Sequence, residues 1–177
     1  RYPNTPRVLS PGVLQVVRGS GELGPGGTGS ELYRANDGGD TWKKLTAPDN
    51  DGLPEGIWGK VGVAASAAKP GRVFAFIEAK KGGLFVSDDR GEKWKHVNDE
   101  HKIRQRGWYY SWVYADPKSA DTVYLPNVNF HRSTNGSKTF SNVCSPHGDA
   151  HDLLIGRDDN TRMILVTDGR ASILLHT

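Results

Sequence analysis

Three groups of side chains have types and spacings that can do chemistry. His147, Asp149 and His151 alternate along the chain, so an extended backbone would turn all three to one face. Two imidazoles and a carboxylate suit Zn²⁺, Mn²⁺ or a similar divalent ion, and Asp168 could add a fourth ligand. The competing reading is that the histidines bond backbone carbonyls and hold no metal, because H-x-D-x-H lacks the helical spacing of established zinc motifs. In the second group, Arg104, Arg106, Trp108 and Tyr109 interleave cations with aromatics, joined later by Arg170. Such a set can clamp a carboxylate or phosphate and stack a ring; alternatively the arginines pair with Asp99 or Glu100 and the aromatics pack inward. The third group is the acids Glu55, Glu78, Asp99, Asp149 and Asp168. Glycoside hydrolysis needs two carboxylates roughly 5 to 10 Å apart, one raised in pKa by burial. Cys144 is expected to be a buried structural thiol.

The elements that must position these residues are set by a repeat. Asp37-Gly38-Gly39-Asp40-Thr41-Trp42 is echoed by Ser87 to Trp94 and by Ser133 to Phe140, each after an apolar stretch. The closing aromatics Trp42, Trp94 and Phe140 lie 52 and then 46 residues apart, within the span of one four-stranded unit per repeat. Asp37, Asp89 and Asn135 can accept amide hydrogen bonds inside their own turns, and Gly39 and Gly91 can take φ > 0 without a Cβ penalty. Ser87 and Ser133 tie the entry strand, while the aromatics are expected to pack between units. A Ca²⁺ loop needs six or more oxygens and a bidentate acid, so the three turns read as structural.

Strands are expected over residues 13–17, 61–66, 72–78, 83–86, 94–97, 109–115, 122–125, 130–132, 139–142, 151–156 and 172–175. Residues 19–30 read as a Gly-rich mobile loop. No stretch holds a helical apolar period for three turns. Twenty-two glycines and 10 prolines suit an all-β chain with many hairpins. A net charge of +3, evenly spread, argues against nucleic acid. No run of about 18 apolar residues is present to span a bilayer. The start on Arg1, with no apolar leader, reads as a processed, truncated or excised beginning.

The repeated turn resembles the Asp-box (BNR repeat), Ser-x-Asp-x-Gly-x-Thr-Trp, of sialidase-like, xyloglucanase-like and sortilin-like proteins. It matches most fully at Ser87, Asp89, Gly91 and Trp94, whereas Ala35, Asn135 and Ser137 depart from it. The resemblance covers residues 31–177 and is nearest to large bacterial proteins of this class. It implies an all-β β-propeller of four-stranded antiparallel blades: a lead-in over residues 1–30, partial blades over 13–46 and 150–177, and full blades over 57–97 and 108–142. Three to four blades leave costly edges, so the remaining blades are expected from another chain or segment. By resemblance the protein is secreted or periplasmic.

In such blades the repeated turns and the turns between first and second strands share one face. The three groups of candidate residues fall on the other, where the inner strands converge on a pocket. The leading expectation is a glycan-directed hydrolase, with catalytic carboxylates among Glu55, Glu78, Asp99, Asp149 and Asp168 and with Arg104, Arg106, Trp108, Tyr109 and Arg170 holding substrate. The second is a non-catalytic, sortilin-like propeller that binds a peptide or protein segment. The third is a metal-dependent esterase or phosphodiesterase using His147, Asp149 and His151. No cofactor is required by the first two, and a divalent ion by the third. The sialidase arginine triad and the xyloglucanase acid pair map onto no particular positions here.

Overall fold

The computed structural model describes residues 8–13, 17–19, 22–24, 27, 29–45, 52–107, 109–110 and 112–175, with backbone only for 17–19 and 22–24. Strand β1 (Gly12–Val13) belongs to a first sheet. A small hairpin of β2 (Val17–Gly19) and β3 (Glu22–Gly24) intervenes before β4 (Glu31–Arg34) and β5 (Lys43–Leu45) complete that sheet in the order β1-β4-β5. The second sheet is β6 (Trp58–Ala65), β7 (Val73–Ala79), β8 (Gly83–Ser87) and β9 (Lys95–Asn98), in sequence order. After a 3₁₀ helix, His101–Arg104, the third sheet repeats that order with β10 (Tyr114–Ala115), β11 (Val123–Pro126), β12 (Phe130–Ser133) and β13 (Ser141–Asn142). A fourth contains β14 (Ala150–Ile155), β15 (Arg162–Thr167) and β16 (Ala171–Leu175). All pairings are antiparallel. The chain is therefore all-β, an open array of blades that does not close on itself.

Apolar layers between successive sheets hold the array together. Leu32 and Leu45 of the first sheet pack with Val73, Ala75, Ile77 and Phe85 of the second. Phe74, Phe76 and Leu84 on its other face meet Val123, Leu125 and Phe140 of the third. Tyr124 and Phe130 then meet Leu153, Met163 and Leu165 of the fourth. Because β7 lies between two layers, Val73 to Ile77 are all buried, and the alternation expected of a half-buried strand disappears. β15, covered on one face, alternates strictly.

The repeated turns are tied as their residue types require. The Ser87 hydroxyl donates to Asp89 Oδ1 (2.7 Å) and accepts from the Gly91 amide (2.7 Å). Asp89 Oδ1 also accepts from the amides of Glu92 (3.0 Å) and Lys93 (2.9 Å). Ser133, Asn135 and Ser137 repeat this, with the Thr139 amide donating to Asn135 Oδ1 at 3.1 Å. In the first copy Asp37 accepts from the amides of Gly39, Asp40 and Thr41, and the Thr41 hydroxyl, then its amide, holds the Asp37 carboxyl down to about 2. Gly39 and Gly91 take positive φ, as does Ser137 at 70°. Trp94 and Phe140 are buried in the layers on the side of the preceding sheet, but Trp42 is exposed. Among the described residues the small β2–β3 hairpin, and no sheet of three or more strands, precedes it, and the packing between units seen for the other two copies is not seen for this one.

Other expectations shift. The 19–30 stretch contains a paired strand, β3, rather than only a loop. The strand expected over 13–17 divides between β1 and β2, and residues 14–16 lie outside the described set. The strand expected over 109–115 shrinks to Tyr114–Ala115. There the chain first forms a turn: the amides of Tyr109 and Tyr110 both donate to Arg106 O (2.8 and 3.0 Å), with Arg106 at φ 47°. Cys144 is exposed, since it leaves β13 toward solvent instead of entering the next layer. Among the described residues no helix is long and apolar enough to cross a membrane.

Candidate functional site

The Arg90 amide donates to Gly71 O at 2.8 Å, which puts the repeated turn and the β6–β7 turn at one end of the blade. The opposite end carries the other loops, and they hold one another. Arg104 donates to Ala79 O (3.0 Å), Asn127 to Ile103 O (3.0 Å) and Lys60 Nζ to Tyr109 O (2.7 Å). The amides of Asp149 and Ala150 bond Val128 O and Asn127 O, and that of Asp168 bonds Asp149 O (3.2 Å).

Two groups of side chains result. The first surrounds a cavity of about 470 Å³ lined by Trp58, Glu78, Lys80, His101 and Arg104. Glu78 Oε2 accepts from the Lys60 amide at 3.0 Å. Gly59 makes room for this carboxylate, since a Cβ there would stand 2.1 Å from Oε2. Lys60 also lies over the Trp112 ring at 4.3 Å. Burial lowers the Lys60 pKa, with Glu78 opposing the shift.

The second group lies between the third and fourth sheets. His151 Nε2 is 2.5 Å from Asp168 Oδ1, and its ring meets those of Tyr109 and Tyr110 at 5.4 and 5.5 Å. Arg106 Nη1 is 3.8 Å from Asp149 Oδ1. The buried Tyr110 hydroxyl makes no hydrogen bond of ordinary geometry. Burial, and after it the nearby Asp149, pushes its pKa well above the usual phenol range. Arg106 and Asp149 both occupy the left-handed region, at φ 47° and 52°. This costs a non-glycine residue about 1–3 kcal/mol, and such residues concentrate at sites under functional constraint.

The expected acids thus separate. Glu78 is in the cavity, Asp149 and Asp168 are joined in the second group by a backbone hydrogen bond while their carboxylates face Arg106 and His151, and Glu55 and Asp99 are exposed outside both. Arg104 lines the cavity, and Arg106 and Tyr109 border the second group. The exposed Arg170 closes the β15–β16 turn through its backbone. Trp108 lies outside the described residues.

His147, Asp149 and His151 do not converge as ligands. Asp149 sits in a left-handed turn, and the pairing of β14 shifts register between Ala150 and Asp152, so the alternation of an extended strand is lost. His147 Nδ1 is 2.9 Å from Gly148 O. Among the described residues no three His, Cys, Asp or Glu side chains are grouped to hold an ion. Lys60 and Trp112 were not singled out from sequence. Their only signal was position near a strand end, where residue type does not reveal which neighbouring sheet the side chain will meet.

No protein-family model and no curated relative matches the chain. Its backbone is similar to that of three solved β-propeller proteins. YCF48 bound to D1 peptide superposes with a TM-score of 0.54 at 14% identity, over 84% of this chain and 48% of that one. An ancestral GH74 enzyme gives 0.51 at 14% identity, over 82% and 19%. The GH74 xyloglucanase from Xanthomonas campestris gives 0.52 at 16% identity, over 97% and 24%. The chain spans less than half the length of each, and the likeness extends to the fold: the four main sheets are blades of a β-propeller architecture.

Proposed function

We propose that this chain is the ligand-binding arc of a larger propeller, and that it holds an extended peptide segment across the loops opposite the repeated turns. On this reading the turns are Asp-boxes that staple each blade, and further blades complete the ring. The observation that carries it is the composition of the cavity end. Lys80, His101 and Arg104 line the cavity with one carboxylate, Glu78, and Lys60, whose amide donates to Glu78, reaches Tyr109 O through its ammonium group. Cations and hydrogen-bond donors beside aromatic faces suit backbone carbonyls and acidic side chains of a peptide. The structural similarity to YCF48 bound to D1 peptide supports the same reading. Fluorescence anisotropy with acidic peptides tests it. Arg104→Ala is expected to weaken binding about 10- to 100-fold, the loss of one charge-assisted contact of roughly 1.5–3 kcal/mol. Binding indifferent to that change defeats the proposal.

A second reading, glycan hydrolysis, is favoured by Glu78, which lies within the cavity, and by similarity to two GH74 proteins. Its second carboxylate would come from Asp149, Asp168 or a blade outside the described residues. Release of reducing sugar from xyloglucan that Glu78→Gln abolishes would favour this reading over the first.

A further inference from the structure

A second cavity, of about 550 Å³, lies between the second and third sheets at the end that carries the repeated turns. Arg72, Asp88 and Lys95 of the second blade line it together with Asp121, Asn135 and Lys138 of the third. Both sheets have four strands, and the cleft lies inside the array rather than at either of its ends. It faces away from the loops that carry the peptide proposal and stands independently of that proposal.

One position in the repeat explains why the cleft exists. Counted back from the closing aromatic, Arg34 of the first blade corresponds to Val86 of the second, and Glu92 of the second to Lys138 of the third. The strand pairing agrees: Arg34 lies opposite Lys43 as Val86 lies opposite Lys95. Between the first and second blades the Arg34 guanidinium, on a side chain only 9% exposed, reaches across to Glu92 at 2.9 Å. The same junction one blade later has neither partner. Val86 stops short where an arginine would cross, and Lys138 brings a cation where Glu92 brings a carboxylate.

The charge left in the cleft has one sign. Arg72 donates to Asp88 (2.6 Å) and Asp121 (2.7 Å), and Lys69 also pairs with Asp88 (3.1 Å), so both aspartates are answered. Among the described residues no ion pair reaches Lys95 or Lys138. The Asn98 side chain donates to Lys138 O at 2.9 Å and holds that turn against the second blade. Phe74, Val86 and Val97 supply the apolar lining.

We infer that this cleft binds a small organic anion, a carboxylate on a compact apolar body. The body fills the space that Arg34 fills at the first junction, and the head pairs with Lys95 and Lys138. The volume falls within the roughly 300–1,000 Å³ of small-ligand pockets, where an apolar lining gives contact area and a few placed polar groups fix orientation. A cation that meets a carboxylate makes the stronger, charge-assisted kind of hydrogen bond.

Isothermal titration calorimetry with phenylbutyrate tests it, beside two controls: phenylbutanol, the body without the charge, and acetate, the charge without the body. Saturable one-to-one binding of phenylbutyrate is expected, about 10-fold or more tighter than either control. Lys138→Glu, a change at an exposed side chain, is expected to weaken it by about 10-fold or more. Val86→Arg combined with Lys138→Glu rebuilds the pair of the first junction, and is expected to close the cleft and abolish binding with the fold intact by circular dichroism. Failure of phenylbutyrate to bind overturns the inference, as does equal binding of phenylbutanol. Binding that survives Lys138→Glu also overturns it, because the ligand then sits elsewhere. The acidic-peptide titration at the opposite end is a separate measurement, so either proposal can fail without the other.

Discussion

β7 and β15 occupy the same place in their blades, each second in its sheet and each introduced by a turn that ends in arginine, Arg72 or Arg162. One is buried on both faces and the other on one. The difference owes little to the strands themselves, since Ile164 and Val166 are as suited to a buried layer as Phe74 and Phe76. It comes from what lies alongside. An interior blade draws its stability from two neighbours and an end blade from one, so the same substitution should weigh differently at the two places.

The largest expected contrast is in the layers. Phe74→Ala should destabilise the chain by about 3–5 kcal/mol in urea titration, whereas Ile164→Ala should change it by about 0.5 kcal/mol. Equal losses at the two positions would break the comparison.

The arginines sharpen it. Arg72 donates to Asp88, Asp121 and Ala120 O, joining the second blade to the third, and its side chain is 13% exposed. Arg162 reaches Asp159 within its own turn and is 75% exposed. Arg72→Ala is expected to cost about 1–2 kcal/mol and Arg162→Ala less than about 0.5 kcal/mol, because a screened surface pair contributes little. The Arg72 guanidinium, with Lys69 behind it, holds the Asp88 carboxyl down to about 2. A carboxyl lowered on folding stabilises the chain fully above its unfolded value of about 4 and loses that contribution as pH falls toward 2. The stability difference between wild type and Arg72→Ala should therefore be constant at neutral pH and shrink between about pH 4 and pH 2. A difference undiminished at pH 2 would exclude the Asp88 pair as a source, since the Ala120 O bond alone keeps a constant share at any pH.

The smallest effect compares two turns. Gly91 takes its φ of 85° freely, while Ser137 is held at 70° with a buried hydroxyl that has no partner. Ser137→Gly should stabilise by about 1 kcal/mol, by relieving the left-handed strain and the unpaired group. A loss on thermal melting would show that the Ser137 side chain contributes packing that outweighs both.

Local signals were legible where a residue acts on its own chain neighbours. The turn at Ser87 to Trp94 was readable because its serine, acid and glycine bond within eight residues, and β7 was readable from its apolar run. The strand expected through Tyr109 was not, because the turn at Arg106 depends on loops from other blades: Lys60 reaches Tyr109 O, and Asp149 faces Arg106. The candidate site divided for the same reason. Glu78 and Arg104 were named from type and position, but nothing local distinguished them from Glu55 and Asp99, which the fold leaves in solvent.

The sequence by itself determined the all-β architecture, the repeat and the end of each blade that carries the candidate residues. These follow from strand alternation and from hydrogen bonds closed within a single turn. Only the tertiary structure decided that Glu78 shares a cavity with Arg104, that Asp149 faces Arg106, and that Trp42 and Ile164 stand exposed where Trp94 and Phe74 are covered. Burial and side-chain partnership belong to pairs of surfaces, and a chain read one residue at a time specifies only one surface of each pair.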